Sequence, residues 1–561
     1  METDISPETA SSLASKAGWS LVAFGVILGG FGAAGGWATV PFEAVGSPLM
    51  IAAGLGAIVL IWRSTQPMTR GLEVGIMALA TVTAFLNQLV SILGRSYYTT
   101  DSAAFNEAAT RIMLKGHNPY QTSLLPYASQ LLKDINGYWT YTLGGGHVST
   151  VSYPAGAFLL EAPLHGLGIN HLPADVLDLI AGTLALVFLW FVLPRSIRWL
   201  APALLLSFIY LGGFANGGTD ALFIPFLMVA VWQWDRFSDH TRNLALRWAG
   251  PVALGIACAI KQSPWFVVPF LFIGIGIEAR RHQSRVWSSV LGYASATLGT
   301  FVALNLPFII WSPSAWWRGI TLPLTKPLVP DGSGFVTLVL HGFLPSARIS
   351  YLSIAGFVSE IGLLVAFVYW YPTMKRIWLF VLPLVFFIPG RSLSSYLVDF
   401  LPVALIAGLS VTRVDAGPGK RWPRIWTWIA LGVPTTLAAL FIILAFSIPV
   451  LSVRTLWAAP GDAGQSIIAV RVALHNETNK TIYPFVMVNT STPHPSGFWI
   501  PAHHQRLVLG PRQTRVVTLY PPTWVWAPGR GQSYSVQVYT KTPASVSSDT
   551  PTRWMYGKPP N

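Results

Sequence analysis

Long apolar blocks are the feature of this sequence that most constrains its fold. They recur between residues 19 and 447 of a 561-residue chain in which only 10% of the residues are charged, whereas a soluble domain has about 25%. A helix needs about 20 apolar residues to cross a bilayer, where it satisfies its own backbone hydrogen bonds. The blocks therefore predict a polytopic α-helical membrane protein with about thirteen spans. The predicted spans are 19–40, 48–62, 72–93, 174–193, 198–215, 219–234, 248–262, 264–278, 287–311, 351–370, 376–390, 393–411 and 425–447.

The distribution of Lys and Arg predicts how these spans are oriented. There are 36 Lys and Arg residues against 22 Asp and Glu residues, a net charge of +14, and short cytoplasmic loops of membrane proteins carry such an excess. With a cytoplasmic N-terminus, the strongly basic short loops lie on the cytoplasmic side, at 63–70, 195–198, 236–247, 280–285, 375–376 and 413–424. The connections 94–173 and 312–350 and all residues after 448 then lie outside. We therefore expect a multi-pass protein of the cell (cytoplasmic) membrane, with no nucleic-acid partner.

The segment 153–168, with the sequence "YPAGAFLLEAPLHGLG", is apolar enough to enter the membrane but does not fit this topology. If it crossed fully, the basic loops at 195–198 and 236–247 would move outside. We therefore expect a re-entrant or interfacial helix here. A full crossing, with another block outside the membrane, is the alternative.

From about residue 455 the pattern changes to short segments that alternate apolar and polar residues, bounded by Gly, Pro and Asn. Such segments are typical of strands, and their spacing is that of a small β-sandwich. Strands are predicted at 466–476, 483–490, 514–522 and 533–540, with a linker at 458–465. The chain thus divides into a cytoplasmic tail with two accessory spans (1–71), a membrane domain (72–448) and an extracytoplasmic β-sandwich domain (449–561).

A few ionisable residues lie beside the spans on the predicted outer side, where burying a charge is costly and therefore indicates function. Asp101 follows the third span, Asp220 opens the sixth, Lys261 lies just before the helix-breaking Pro264, and Arg391 lies in an outer turn. Two carboxylates and two cations thus reach one face of the bundle. Each has a structural alternative: a helix N-cap for either aspartate, extension to the interface for Lys261, and an ordinary juxtamembrane charge for Arg391.

Several motifs follow in a specific order. The helix predicted to begin near Asp101 ends at the C-cap glycine Gly116, and "GHNPY" forms a rigid turn there. "YPAGAFLLEAPL" then returns the chain to the membrane, followed by the Asp-led "GGTDALFIPFLM" and the Lys-x-x-Pro break in "LGIACAIKQSPWFVVPF". Over about residues 72–411, this order resembles the GT-C superfamily of integral-membrane glycosyltransferases, in particular the bacterial polyprenol-phosphate-mannose-dependent mannosyltransferases.

The resemblance implies a polyprenyl-phosphate sugar donor, with mannose favoured and arabinofuranose or another sugar next. The acceptor would be a hydroxyl of a glycolipid or cell-envelope glycan, and transfer would be inverting, with no metal or cofactor. Asp101 would be the catalytic base. The implied donor-phosphate ligands are Lys261 and Arg391, with Arg95 and Arg318 as further candidates. The implied substrate contacts are Asp220, His117, Asn118, Tyr120 and Tyr153.

Two departures from the family pattern are visible: "YPAG" replaces the commoner double proline, and two extra spans precede the span that leads to Asp101.

The main alternative to a glycosyltransferase is a polytopic transporter or lipid flippase, which the Pro- and Gly-broken spans would suit. Another is a non-catalytic glycan-binding assembly protein that uses the C-terminal domain. Its aromatic residues could stack on sugar rings or belong to its core, and they are Trp499, Tyr520, Trp524 and Trp526.

Overall fold

The computed structural model is mostly helical, with a separate sheet-rich C-terminal region. It describes residues 7–35, 41–63, 68–133, 140–207, 219–393, 395–411, 424–460, 466–490, 497–501, 505–522, 527–529, 532–549 and 552–553. The helices are α1 (Pro7–Gly35), α2 (Pro41–Arg63), α3 (Arg70–Leu93), α4 (Asp101–Leu114), α5 (Leu125–Leu131), α6 (Gly156–Leu159), α7 (Ala162–Gly166), α8 (Pro173–Val192), α9 (Leu200–Leu206), α10 (Thr219–Val231), α11 (Leu244–Ile260), α12 (Val268–Arg281), α13 (Val286–Trp311), α14 (Pro313–Thr325), α15 (Thr337–Leu340), α16 (Ile349–Tyr369), α17 (Tyr371–Val381), α18 (Ser395–Leu409) and α19 (Arg424–Ser447). Short 3-10 turns lie at Arg195–Ile197, Trp234–Arg236, Ser263–Phe266 and Leu382–Phe387. The strands are β1 (Asp331–Gly332), β2 (Ser346–Arg348), β3 (Arg391–Ser392), β4 (Leu451–Pro460), β5 (Ile467–Asn476), β6 (Pro484–Thr490), β7 (Ile500–Pro501), β8 (Thr514–Tyr520), β9 (Ser533–Lys541), β10 (Ala544–Ser548) and β11 (Thr552–Arg553).

Among the described residues, 7 helices are long and apolar enough to cross a membrane, in agreement with the predicted membrane character. These are Ser11–Gly32, Val45–Arg63, Arg70–Leu93, Pro173–Val192, Ser263–Arg281, Val286–Trp311 and Ile349–Tyr369. Shorter apolar helices cover Ala221–Val231, Leu244–Ile260, Ser395–Leu409 and Leu431–Ser447. All of them fall on apolar blocks of the sequence.

Prolines divide two of the apolar segments. The block 376–390 is not one helix, because α17 ends at Val381 and the 3-10 turn that follows has Pro383 in its first turn, where proline cannot donate a backbone hydrogen bond. The segment 153–168 forms α6 and α7, with Pro163 at the start of α7. Neither short helix can cross a bilayer. Of the block 198–215, α9 accounts for the first part, and residues 208–218 lie outside the described residues.

The helical bundle is closely packed around α10, which lies against α8, α11 and α18. Small residues permit the close approach of neighbouring helices: a Cβ atom on Gly255 of α11 would lie 2.5 Å from the carbonyl oxygen of Thr297 in α13. Helix contacts within membranes use small residues in this way. This packing holds α11, which ends directly before Lys261, against α10 and α13.

The C-terminal region contains two sheets, and the predicted strands at β5, β6, β8 and β9 are confirmed. One sheet has the order β4-β5-β8-β7; in the other, β9 pairs with β6, β10 and β11. Apolar residues of both sheets, such as Val472 of β5 and Val536 of β9, share one hydrophobic cluster. Trp499 belongs to this cluster and is 3% exposed, so it is a core residue rather than a sugar platform. Trp524 and Trp526 lie outside the described residues.

Two features of this region differ from the prediction. The linker prediction is wrong for residues 458–460, because β4 continues to Pro460 and pairs there with Ile467 of β5; residues 461–465 lie outside the described residues. In addition, β2, from the 312–350 connection, pairs antiparallel with β10, with Ala347 opposite Val546. The membrane domain thus supplies a strand to the C-terminal sheet, and the two regions meet along that sheet.

Candidate active site

A cavity of about 1300 Å³ lies where the 94–173 connection, the 312–350 connection and the C-terminal sheet meet. Four residues predicted for the site line it: Asp101, Tyr153, Lys261 and Arg391. The charged residues of its wall are Asp101, Lys261, Lys326, Asp331 and Arg391. The structure therefore brings together one carboxylate and two cations of the predicted set, Asp101, Lys261 and Arg391, from segments that are far apart in the sequence.

Asp101 is the first residue of α4, but it is not the N-cap. Thr100 is the N-cap, and its side chain accepts a hydrogen bond from the Ala103 amide, so the capping interpretation of Asp101 is wrong. The Asp101 carboxylate instead accepts a hydrogen bond of 2.7 Å from the hydroxyl of Thr140. Burial raises the pKa of this carboxyl above its usual value, and Thr140 and Arg391 oppose that shift only in part. A raised pKa makes the Asp101 carboxylate a stronger base than an exposed one.

Lys261 follows the last residue of α11 and is only 6% exposed. Its ammonium lies 6.0 Å from the ring centroid of Tyr153 and 5.5 Å from that of Tyr396, within the range of cation–π attraction. The next residue, Gln262, donates two hydrogen bonds of 2.8 Å to the carbonyl oxygens of Ser152 and Ile320. The burial excludes a lysine that extends along the lipid surface, and the neighbouring contacts fix where the charge lies.

Arg391 is held by a two-stranded element made of β1 and β3. Asp331 pairs with Arg391 and Gly332 with Ser392, and the Arg391 guanidinium lies 3.8 Å from the Asp331 carboxylate. Gly332 has φ of +103°, and a Cβ atom there would overlap the carbonyl oxygen of Ser392. Glycine is therefore required for this pairing, and the pairing places Arg391 and Asp331 side by side on the cavity wall.

Asp331 was not among the residues predicted for the site. The signal for it is the run "PDGSG", in which glycines lie one and three positions after the aspartate, which is typical of a tight turn with unusual backbone angles. The sequence alone does not reveal that residues 387–392 lie beside this turn.

The "GHNPY" turn forms as predicted but lies outside the cavity wall. Gly116 has φ of +78°, and the amides of Gly116 and His117 donate to the carbonyls of Met113 and Ile112, which is a Schellman helix end. Asn118 accepts a hydrogen bond of 3.0 Å from the Tyr120 amide, and the Tyr120 hydroxyl donates one of 2.8 Å to the Tyr153 carbonyl. Asn118 and Tyr120 are buried, His117 is exposed, and the turn positions the neighbourhood of Tyr153.

Of the three other predicted residues, Arg95 and Arg318 do not line the cavity. Arg95 donates a hydrogen bond of 3.0 Å to the buried Asp175 carboxylate in α8. Arg318 is exposed on α14. Asp220 is the second residue of α10, and its side chain lies outside the described residues.

Replacing Arg95 with methionine should destabilise the protein. The substitution leaves the buried Asp175 carboxylate without its cation, which costs about 3 kcal/mol of folding free energy. Thermal unfolding of the purified protein in detergent measures the effect. Unchanged thermal stability would contradict this structural role of Arg95.

Comparison with protein-family models, with curated proteins and with solved structures yields no match. Within the described ranges, no group of three or more His, Cys, Asp or Glu side chains is arranged to hold a metal ion. The interpretation of the cavity therefore depends on its own geometry and charge.

Proposed function

We propose that this chain is a membrane glycosyltransferase that moves a sugar from a polyprenyl-phosphate donor to a hydroxyl of a glycolipid or cell-envelope glycan. The observation that carries the proposal is one cavity whose wall contains a partly buried carboxylate, Asp101, together with the cations Lys261 and Arg391. Mannose is the favoured sugar because of the resemblance to mannosyltransferases. Such a cavity, at the ends of apolar helices, suits a substrate with an apolar tail and a charged, hydroxyl-rich head.

The chemistry follows from these three side chains. Asp101 accepts the proton of the acceptor hydroxyl as its oxygen forms a bond to the anomeric carbon. The bond from that carbon to the phosphate oxygen breaks, and its electron pair leaves with the polyprenyl phosphate. Lys261 and Arg391 stabilise the negative charge that develops there. One displacement of this kind inverts the anomeric configuration.

The direction of the helices supports the inferred topology. α3 and α13 begin beside basic residues, Arg70 and Arg285, α11 runs from the basic 236–247 loop to Lys261, and α12 returns to Arg280 and Arg281. Successive helices thus run between a basic end and the end that carries the cavity, as the positive-inside rule requires. We infer about thirteen spans, a cytoplasmic N-terminus, and an extracytoplasmic C-terminal region whose two sheets form a β-sandwich.

Replacing Lys261 with methionine should weaken donor binding more than acceptor binding. Methionine keeps the apolar stem between Tyr153 and Tyr396 but removes the charge, and a hydrogen bond to a charged group contributes about 1.5–3 kcal/mol. We therefore expect the donor KM to rise by about 10- to 100-fold, with the acceptor KM nearly unchanged. Because the Lys261 charge also acts on the buried carboxylates of Asp399 and Asp178, thermal stability should fall as well. Lys480→Met, at an exposed position of the C-terminal region, is the control. Equal donor affinity in Lys261→Met and the wild type would contradict the phosphate role.

The proposal is tested with membranes that contain the overproduced protein and a series of radiolabelled polyprenyl-phosphate sugars, beginning with mannose and arabinofuranose. We expect label from one donor to move into a lipid- or glycan-linked product with the wild type and not with Asp101→Asn. Movement of an intact donor or another solute across the membrane, with no new glycosidic bond, would instead indicate a transporter or flippase. Glycan binding without either activity would indicate an assembly protein.

A further inference from the structure

Strand β9 of the C-terminal sheet is buried on both of its faces. Val536 and Val538 point into the hydrophobic cluster shared by the two sheets. Because side chains alternate along a strand, Ser535, Gln537 and Tyr539 lie on the opposite face, and all three line the cavity. A row of buried polar side chains on a sheet face is costly unless it is hydrogen-bonded.

These side chains form a hydrogen-bonded network centred on Gln537. Its side-chain nitrogen donates a hydrogen bond of 2.8 Å to the carbonyl oxygen of Leu340 in α15. Its side-chain oxygen accepts hydrogen bonds from Asn489 of β6, at 2.6 Å, and from the hydroxyl of Tyr539. The network fixes the orientation of the amide and phenol groups at the cavity wall before any ligand binds.

The cavity is divided by charge. Its Asp, Lys and Arg residues all come from the part of the chain before residue 411. Among the described residues, none that the C-terminal region contributes to the wall is charged; the polar ones are Asn489, Ser533, Tyr534, Ser535, Gln537 and Tyr539. The pairing of β10 with β2, directly before α16, holds this uncharged wall against the membrane domain. One side of the cavity thus suits an anionic group, and the other suits neutral hydroxyl groups.

We propose that the uncharged wall formed by β6 and β9 is the acceptor subsite and that it binds a neutral, hydroxyl-rich glycan. This inference rests on the proposed transferase function and deepens it. The Gln537 amide and the Tyr539 hydroxyl proton are used within the network, but the hydroxyl oxygens of Tyr539 and Ser535 can still accept hydrogen bonds from sugar hydroxyls. A phosphorylated acceptor would find no cation on this wall. A site that hydrogen-bonds hydroxyl groups discriminates strongly against ligands that lack them. The acceptor hydroxyl would then lie between this wall and Asp101.

Tyr539→Phe and Asn489→Ala test the subsite, because each removes one polar group and leaves the bond from Gln537 to Leu340 possible. With radiolabelled polyprenyl-phosphate mannose as donor and octyl α-mannoside as acceptor, we expect each to raise the acceptor KM by about tenfold. The donor KM and the slow transfer of sugar to water should stay unchanged, since neither uses this wall. Tyr483→Phe, at a tyrosine that is 43% exposed, is the matched control.

The possible outcomes distinguish a failure of the acceptor subsite from a failure of the proposed transferase function. If the wild type neither transfers nor hydrolyses any donor, the transferase proposal and the subsite both fail. If it transfers sugar but both variants keep the wild-type acceptor KM, or if octyl mannoside 6-phosphate is preferred to the neutral acceptor, the subsite is overturned and the transferase stands. A purely structural role would lower thermal stability and raise the donor and acceptor KM together, which would also overturn the subsite.

Discussion

Asp101→Asn is expected to abolish sugar transfer while the protein stays folded and inserted in the membrane. The asparagine oxygen can still accept the hydrogen bond from Thr140, so the start of α4 is preserved. Asparagine cannot act as the general base that removes the proton from the acceptor hydroxyl, and general-base catalysis contributes about 10²- to 10⁴-fold to the rate. Transfer of label from a polyprenyl-phosphate donor measures the effect. Glu477→Gln, at a partly exposed carboxylate of the C-terminal region, is the control.

The pH dependence provides an independent measure of the same residue. Because burial raises the pKa of Asp101, transfer by the wild type should be lost as the pH falls through that raised pKa, at higher pH than for an exposed aspartate.

The effect of Asp101 on the free energy of unfolding has the opposite pH dependence: a carboxyl with a raised pKa in the folded state stabilises the fold at low pH and loses that contribution as the pH rises. At neutral pH, Asp101→Asn should therefore unfold at the same temperature as the wild type or a higher one. Near-normal transfer by this variant would remove Asp101 from the base role.

We expect Gly332→Ala to lower sugar transfer, because it distorts the backbone that pairs β1 with β3. At φ of +103°, an alanine costs about 1–3 kcal/mol in conformational strain, and its Cβ atom would overlap the Ser392 carbonyl. The β1–β3 pairing must therefore open, which displaces Arg391 and Asp331 together. Since a misplacement of about 1 Å can cost about 10²-fold in rate, we expect a loss of transfer of that size and a lower thermal stability.

Gly299→Ala is the matched control for this substitution. Gly299 lies within α13, and a Cβ atom there would meet no other atom within 4 Å, so alanine should be neutral or slightly stabilising. Wild-type transfer by Gly332→Ala would show that the β1–β3 element does not position the cations of the cavity.

Features that depend on local chemistry could be predicted from the sequence. The helix end at Gly116 and the strand β9 follow from residue type and alternation, and both form as expected. The convergence of Asp101, Lys261 and Arg391 also follows, because the positive-inside rule assigns their loops to one side of the bundle. Which residue caps α4 could not be predicted, since Thr100 and Asp101 are adjacent and both residue types are good caps.

Features that depend on contacts between distant segments could not be predicted. β2 is too short to show alternation, and its partner β10 lies about 200 residues further along the chain, where no local signal indicates the pairing. Asp331 became a site residue only because its turn lies beside Arg391. Arg95 carries the right charge for a phosphate, but only the tertiary structure reveals that Asp175 lies beside it.

A cryo-electron microscopy structure with a non-hydrolysable polyprenyl phosphonate sugar would show whether this cavity binds the donor. We expect the phosphonate within hydrogen-bonding distance of Lys261 and Arg391, the anomeric carbon facing Asp101, and the isoprenoid chain leaving toward the apolar helices. A phosphonate bound outside this cavity, or no binding at concentrations that saturate transfer, would contradict this expectation.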